Sequence, residues 1–159
     1  MAASAVEIRH SPIQGFGAWA VRPIREGTRI VEYLGERITT EEADERYDDD
    51  DSEHPHVLLF TVDERTVIDA GVAGNEARYF NHSCAPNCET VVVHGRVFIV
   101  ARRAISPGEE LTYDYLLERP GRAKAEWARR YACRCGAARC RGTMLAPRPR
   151  RKRKKLGAG

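Results

Sequence analysis

A cysteine cluster near the C-terminus constrains this 159-residue chain more than any other sequence feature. Cys133, Cys135 and Cys140 fall within the sequence Cys-Arg-Cys-Gly-Ala-Ala-Arg-Cys. A structural zinc ion takes four ligands in a tetrahedron, so this spacing supplies three thiolates and leaves one position open. The fourth ligand must come from elsewhere in the chain. If it is Cys84, in Asn-His-Ser-Cys, the metal fastens the C-terminal segment onto that loop.

The sequence has no apolar run of the length of a signal peptide or of a membrane span. We therefore expect a cytoplasmic protein in a reducing compartment, where clustered cysteines bind metal rather than form disulfides. The chain contains five cysteines. The remaining one, Cys88, is predicted to be a small buried residue.

The formal net charge is +3, and the basic residues are unevenly placed. Seven of them lie between Arg148 and Lys155, which leaves the remainder of the chain mildly acidic. This tail has too little apolar surface to offset chain entropy, so we expect it to be disordered. Two interpretations stay open: a non-specific, salt-sensitive contact with nucleic acid, or a solubilising terminus.

Short β-branched runs between turn residues predict a mostly β domain with short helices. His94-Gly95-Arg96 is predicted to form a hairpin turn. Thr40 is predicted to cap a helix over Glu41–Tyr47, Asn75–Phe80 to form a helical turn, and Lys124–Tyr131 a third helix. The predicted strands are Val6–Arg9, Ala18–Val21, Arg29–Tyr33, Leu58–Val62, Thr66–Asp69, Thr90–His94 and Val97–Ala101.

Four blocks carry candidate chemistry. In order they are Gly15-Phe16-Gly17-Ala18-Trp19, then Arg78 to Cys88 with Asn-His-Ser-Cys at its centre, then Gly108-Glu109-Glu110-Leu111-Thr112-Tyr113-Asp114-Tyr115, and finally the cysteine cluster. Together they resemble the SET-domain protein lysine methyltransferases with a cysteine-rich post-SET segment. The resemblance runs from about Val6 to Met144. The short length of the chain, its Arg/Ala-rich composition and its lack of accessory domains resemble those of a bacterial member of the family.

The resemblance implies a fold of several small β-sheets, in which Asn81–Cys84 is threaded under the loop before Tyr113 as a pseudoknot. It divides the chain into a SET domain over 5–116, a linker with a short helix over 117–128, a zinc-bound post-SET segment over 129–145 and the disordered basic tail over 146–159. It also makes Cys84 the fourth zinc ligand, beside Cys133, Cys135 and Cys140.

The same resemblance implies S-adenosylmethionine as methyl donor. The backbone of His82 would hydrogen-bond the adenine, Asn81 would hold the methionine portion, and Met144 and Leu145 would cover the adenine. The residues implied to bind this cofactor are Gly15, Phe16, Gly17, Trp19, Arg78, Asn81, His82 and Tyr115.

Tyr115 matches the catalytic tyrosine of the family, and Tyr113 matches a position that holds tyrosine or phenylalanine. A tyrosine there leaves less room for extra methyl groups, so we expect mainly monomethyl-lysine. Desolvation and the neighbouring sulfonium lower the pKa of the substrate amine, so no general base is required and Asp114 is interpreted as structural. Many members carry a tyrosine at the position of Leu58, which weakens this assignment of how the amine is held.

The expected substrate is a lysine in a basic protein segment, such as a histone-like or nucleoid protein, bound as an added strand. We expect a monomer with no membrane partner, associated with the nucleoid, or nuclear if the chain is eukaryotic. Two alternatives remain: a non-catalytic SET-like module that binds basic chromatin or nucleoid proteins, and a zinc protein that binds nucleic acid through its tail. The body lacks interleaved basic and aromatic residues, which disfavours the last.

Overall fold

The structure is a computed structural model, and it describes residues 3–47, 58–117 and 129–147. These form ten short strands, one α-helix and one 3₁₀ turn, so the prediction of a mostly β fold with short helices is confirmed. In chain order the elements are β1 (Val6–His10), β2 (Phe16–Ala20), β3 (Arg29–Glu32), β4 (Glu36–Thr39), α1 (Thr40–Tyr47), β5 (Leu59–Thr61), β6 (Thr66–Asp69), the 3₁₀ turn Glu76–Tyr79, β7 (Asn81–His82), β8 (Cys88–Val93), β9 (Arg96–Ala101) and β10 (Glu110–Tyr113).

All seven strands predicted from β-branched runs are present, with ends shifted by at most two residues. β4, β7 and β10 were not predicted from such runs, because their sequences Glu-Arg-Ile-Thr, Asn-His and Glu-Leu-Thr-Tyr are largely polar. Arg129 and Arg130 are helical. Tyr131 lies in a turn, so the predicted helix ends one residue early. Residues 124–128 of that helix, most of the 117–128 linker and residues 148–159 of the basic tail lie outside the described residues.

The helix α1 forms as predicted, but its capping residue is Thr39 rather than Thr40. The Thr39 hydroxyl accepts from the Glu42 N–H at 3.1 Å, and the Glu42 carboxylate accepts from the Thr39 N–H at 2.8 Å. This reciprocal pair is a capping box, which needs a glutamate three residues after the cap. Thr39-Thr40-Glu41-Glu42 satisfies that spacing from Thr39.

The strands form three sheets, ordered β1-β2-β10-β7, β3-β9-β8 and β4-β6-β5. The predicted hairpin joins β8 to β9 through His94 and Gly95, whose φ angles of 50° and 74° suit a two-residue turn. In the first sheet β7 runs parallel to β10, which places Asn81 beside Thr112 and His82 beside Tyr113. This pairing brings the Asn-His-Ser-Cys block and the tyrosine block together, as the resemblance implied.

A single buried amide fastens β10 to the segment that follows β7. The Asn87 side chain donates to the Glu110 carbonyl at 2.8 Å and accepts from the Thr112 N–H at 3.0 Å. Asn87 is buried, and the paired amide replaces the hydrogen bonds that water would otherwise make. The two sequence blocks are therefore held in register by side-chain as well as backbone hydrogen bonds.

The hydrophobic core lies between the sheets. Its largest fully buried apolar side chains are Phe80, Ile68, Ile99, Leu111 and Val97. Cys88 is also fully buried, which confirms its prediction as a small core residue. Within the three described ranges, no helix is long and apolar enough to cross a membrane. We call residues 6–113 the sheet body and residues 129–147 the cysteine segment.

Candidate active site and metal centre

The four predicted ligand cysteines converge. The sulfur atoms of Cys84, Cys133, Cys135 and Cys140 all lie within 4.8 Å of one another. Cys84 Sγ is 3.7 Å from Cys133 Sγ and 3.9 Å from Cys140 Sγ. A tetrahedron of zinc–sulfur bonds of about 2.3 Å has sulfur–sulfur edges of about 3.8 Å. The donor type, number and spacing therefore fit a structural zinc ion.

Backbone N–H groups point at these sulfur atoms. Arg141 N–H donates to Cys84 Sγ at 3.4 Å, and Gly142 N–H donates to Cys140 Sγ at 3.3 Å. Burial opposes ionisation of Cys135, but backbone N–H groups and neighbouring thiols lower its pKa to about 6. Burial raises the pKa of Cys84 and of Cys133, and it raises that of Cys88 to about 12. The convergence of four sulfur atoms, rather than the acidity of the thiols, therefore distinguishes the cluster from Cys88 as a candidate metal site.

The cysteine segment has two further attachments. Leu117 donates its N–H to the Met144 carbonyl at 3.2 Å and accepts from the Ala146 N–H at 2.8 Å. The Arg141 guanidinium binds the Asp114 carboxylate through two hydrogen bonds of 2.6 and 3.0 Å. Asp114 immediately precedes Tyr115, so this ion pair joins the cysteine segment to the tyrosine block.

The carboxylate of Asp114 is committed to structural contacts. Burial raises the pKa of Asp114, but the two hydrogen bonds from Arg141 and the one from the Leu116 N–H lower it by more than burial raises it. The net shift of this pKa is therefore downward. A carboxylate held in its charged form by an arginine is a poor proton acceptor. This geometry supports the interpretation of Asp114 as structural.

The imidazole of His82 links the tyrosine block to the metal centre. Its Nδ1 accepts from the Tyr115 N–H at 3.0 Å, and its Nε2 lies 3.4 Å from Cys84 Sγ. Burial lowers the pKa of His82 to about 4, so the ring is neutral at physiological pH. Since Nδ1 accepts, the ring proton sits on Nε2 and faces the cysteine sulfur. Sequence reasoning assigned a role only to the backbone of this residue.

A cavity of about 290 Å³ lies between the sheet body and the cysteine segment. Four of the predicted cofactor-binding residues line it: Gly15, Asn81, His82 and Tyr115. Met144 also lines it, whereas Leu145 instead forms a bridge with Leu117. The cavity has walls from all four sequence blocks only because the parallel β7–β10 pair and the cysteine cluster bring them together.

The other predicted cofactor residues do not line this cavity. The Phe16 carbonyl accepts a hydrogen bond from the Asn81 amide at 3.0 Å, and a Cβ on Gly17 would collide with the Glu110 carboxylate. The Trp19 indole N–H is buried without a hydrogen-bond partner among the described residues. The Arg78 guanidinium is occupied by the Tyr79 hydroxyl, at 2.7 Å.

Sequence reasoning missed several wall residues. Arg129, Arg130 and Arg134 line the cavity from the cysteine segment, and Gln14 lines it from the loop before β2. The signal was the concentration of arginines around the cysteine cluster. This concentration did not identify the wall residues, because sequence alone does not show which basic residues face a cavity and which face solvent.

A second cavity, of about 350 Å³, is lined by β5, by Tyr113 and by the residues that follow it. Tyr115 lines this cavity as well as the first. Its ring lies 4.8 Å from that of Tyr113, and its hydroxyl donates to the Phe80 carbonyl at 2.7 Å. Tyr115 therefore borders both cavities.

A third tyrosine that sequence reasoning missed accompanies this pair. Tyr33 is buried, its ring lies 5.3 Å from that of Phe60, and its hydroxyl donates to the Leu58 carbonyl at 3.0 Å. Burial raises the pKa of Tyr33, Tyr113 and Tyr115 well above that of free tyrosine. All three hydroxyls stay protonated, so they can orient a bound group by hydrogen bonding but cannot act as bases.

Comparison with known proteins gives a consistent assignment. A family model described as SET domain matches residues 15–116. The chain is 41% identical over 143 residues to histone-lysine N-methyltransferase trr of Drosophila melanogaster, and 36% identical over 143 residues to histone-lysine N-methyltransferase 2D of Homo sapiens. It is 39% identical over 146 residues to an H3 lysine-4-specific histone-lysine N-methyltransferase of Eremothecium gossypii.

Each of these alignments covers 87% of this chain, but the matched part is only 6%, 2% and 14% of the respective relative. The three relatives come from an insect, a mammal and a fungus, and the expectation of a bacterial member stays a prediction. The family match spans the glycine block, the Asn-His-Ser-Cys block and the tyrosine block whose geometry is described above. The chain belongs to the SET-domain family.

Proposed function

We propose that this chain is an S-adenosylmethionine-dependent protein-lysine N-methyltransferase that acts on a basic protein segment such as a histone tail. One observation carries this proposal: Tyr115 lines two cavities, the first between the sheet body and the cysteine segment and the second beside β5. Transfer of a methyl group in line requires the donor and the amine to approach from opposite sides. The names of the three relatives support the reaction and the class of substrate.

In this proposal the first cavity holds S-adenosylmethionine, which supplies the methyl group. Its walls offer the Asn81 amide, the backbone around Gly15 and His82, and the apolar side chain of Met144. We assign Cys84, Cys133, Cys135 and Cys140 as ligands of a structural zinc ion that holds the cysteine segment in place as one wall. The cofactor site and the metal site then depend on each other.

The second cavity receives the substrate lysine. It is bordered by β5, an outer strand of the sheet β4-β6-β5, and an extended peptide can pair with such a strand. The aromatic rings at the junction exclude water and face the substrate ammonium with their electron-rich surfaces. Loss of hydration lowers the pKa of the amine, so the neutral nucleophile forms without a general base.

Tyr113 and Tyr115 are the proposed catalytic residues. The Tyr115 hydroxyl, fixed by the Phe80 carbonyl, orients the amine, and the buried Tyr113 limits the space for added methyl groups. We therefore propose mainly monomethyl-lysine as the product. Tyr33 supplies a protonated hydroxyl beside Leu58, where many members of the family carry a tyrosine.

The test is transfer of radiolabelled methyl groups from S-adenosylmethionine to histones, nucleoid proteins and ribosomal proteins. We expect labelling by the unmodified chain and a rate at least about 100-fold lower for Tyr115→Phe, because misorientation of the reacting groups has an effect of about this size. Tyr79→Phe is the matched control, since Tyr79 binds Arg78 away from both cavities. Labelling no greater than that of Tyr115→Phe on every substrate would favour the non-catalytic binding module, and trimethyl-lysine as main product would contradict the assignment of Tyr113.

A further inference from the structure

A carboxylate that the proposed reaction does not use lies behind the first cavity. Glu110 is on β10, and its Oε1 accepts from the Ser11 hydroxyl at 2.6 Å and from the Asn81 side-chain amide at 3.0 Å. The carboxylate lies against Gly17, where any Cβ would collide with it. Gly17 therefore provides room for the Glu110 side chain.

This carboxylate fixes which way the Asn81 amide faces. The amide nitrogen of Asn81 also donates to the carbonyls of Gln14, at 3.2 Å, and Phe16, at 3.0 Å. Its three neighbours are two carbonyl oxygens and a carboxylate, none of which can donate a hydrogen bond. The reversed orientation would place the amide oxygen against three acceptors. The oxygen is therefore held on the other side, as an acceptor, in a residue that lines the cavity.

Among the described residues, no cationic side chain pairs with the Glu110 carboxylate, whereas the adjacent Glu109 pairs with Arg103 at 2.7 Å. Arginines 129, 130 and 134 line the same cavity from the cysteine segment. On the β7–β10 side the cavity therefore has the Asn81 oxygen as an acceptor, with the negative charge of Glu110 behind it, and this wall suits the ammonium of an amino acid. The arginines of the opposite wall suit its carboxylate.

We propose that Glu110 is a positioning residue for the cofactor: it holds the Asn81 amide so that its oxygen accepts from the ammonium of the amino-acid portion, and its negative charge strengthens that contact. This inference rests on the proposed use of S-adenosylmethionine. It assigns to Glu110 a selectivity for cofactors that carry an amino group.

The experiment measures binding of S-adenosylhomocysteine and of its analogue without the amino group to the full chain. The unmodified protein should prefer the amino compound by at least about tenfold, as expected for a hydrogen bond to a charged group. Glu110→Gln should reduce this preference to less than about threefold, since a glutamine lacks the charge and can donate to the Asn81 oxygen. Glu109→Gln is the matched control and should keep the preference of the unmodified protein.

A second variant guards against misfolding. Gly17→Ala leaves every charge in place but displaces the Glu110 carboxylate, and it should lower the preference in the same way. If both variants weaken the two ligands equally and leave the preference unchanged, Glu110 is merely structural and the inference is wrong. If the unmodified protein binds neither ligand, the proposed function itself fails, which is a different result from an unchanged preference.

Discussion

The sheet body and the cysteine segment are held together by different physical means. The sheet body buries large apolar side chains, including Phe80, Ile99 and Leu111, between three sheets. Within residues 129–147, the only buried hydrophobic side chains are Met144 and Leu145. What organises this segment is the convergence of four sulfur atoms, one ion pair and a short bridge to Leu117.

The first cavity lies on the seam between these two regions, with wall residues from both. Its shape therefore depends on the region with the weaker apolar packing. Small segments without an adequate core commonly use a metal in its place. The stability of the fold and the integrity of the site therefore depend on different interactions, and four experiments test whether each region can be perturbed without the other.

Removal of the metal should have the largest effect. A strong chelator, or Cys133→Ser, should detach the cysteine segment and reduce affinity for S-adenosylhomocysteine about 100-fold if only about 1% of molecules keep the segment docked. The cooperative unfolding transition of the sheet body in urea should remain. Titration calorimetry measures the cofactor affinity, and trypsin cleavage at the arginines of the segment shows its detachment. Cys88→Ala, outside the cluster, should keep one metal ion per chain, and a chelated protein with full cofactor affinity would contradict the role of the metal.

Removing a core side chain should lower the stability of the sheet body and leave the metal site intact. Ile99→Ala removes a fully buried side chain from β9 and should lower the free energy of unfolding by about 2–5 kcal/mol, measured by urea denaturation. Metal content in the native state should not change, because the β3-β9-β8 sheet contains none of the four clustered cysteines. Ile99→Val, expected to cost about 0.5–1.5 kcal/mol, gives the graded control. Loss of metal under native conditions would show that the two regions are one cooperative unit.

The ion pair between the regions should have an intermediate effect. Arg141→Gln removes the paired hydrogen bonds to Asp114, and transfer of zinc to a competing chelator should become about tenfold faster, since charge-assisted hydrogen bonds contribute about 1.5–3 kcal/mol. Arg139→Gln, an exposed arginine of the same loop, is the control. If Asp114→Asn adds its full separate effect to that of Arg141→Gln, the two residues are not coupled.

The smallest effect is expected at the β8–β9 hairpin. Gly95 has φ of 74° with open space around its Cα, so Gly95→Ala should cost about 1 kcal/mol of unfolding free energy through backbone strain alone. Gly95→Asn should cost less, because asparagine tolerates this conformation. Metal content and cofactor affinity should equal those of the unmodified chain in both variants, and a change in either would place the hairpin in contact with the site.

Local patterns predicted much of this molecule. Runs of β-branched residues located seven strands, and the spacing of Cys133, Cys135 and Cys140 located a metal centre whose fourth sulfur is Cys84. The cap at Thr39 was missed by one residue because two threonines are adjacent at the start of the helix and only Thr39 has a glutamate three residues later. β10 was missed because its pairing partners, β2 and β7, hold it in place despite its polar sequence.

The chemical groups of the site can be read from the sequence: four thiols, an aromatic pair at Tyr113 and Tyr115, and an amide at Asn81. What these groups face depends on the tertiary fold. Glu110 and Asn81 are 29 residues apart, yet the parallel β7–β10 pairing makes them partners and sets the polarity of the amide. Local periodicity depends only on residues that are close in the sequence. The direction of a side-chain hydrogen bond depends on which strands pair, and strand pairing is established only when the whole core assembles.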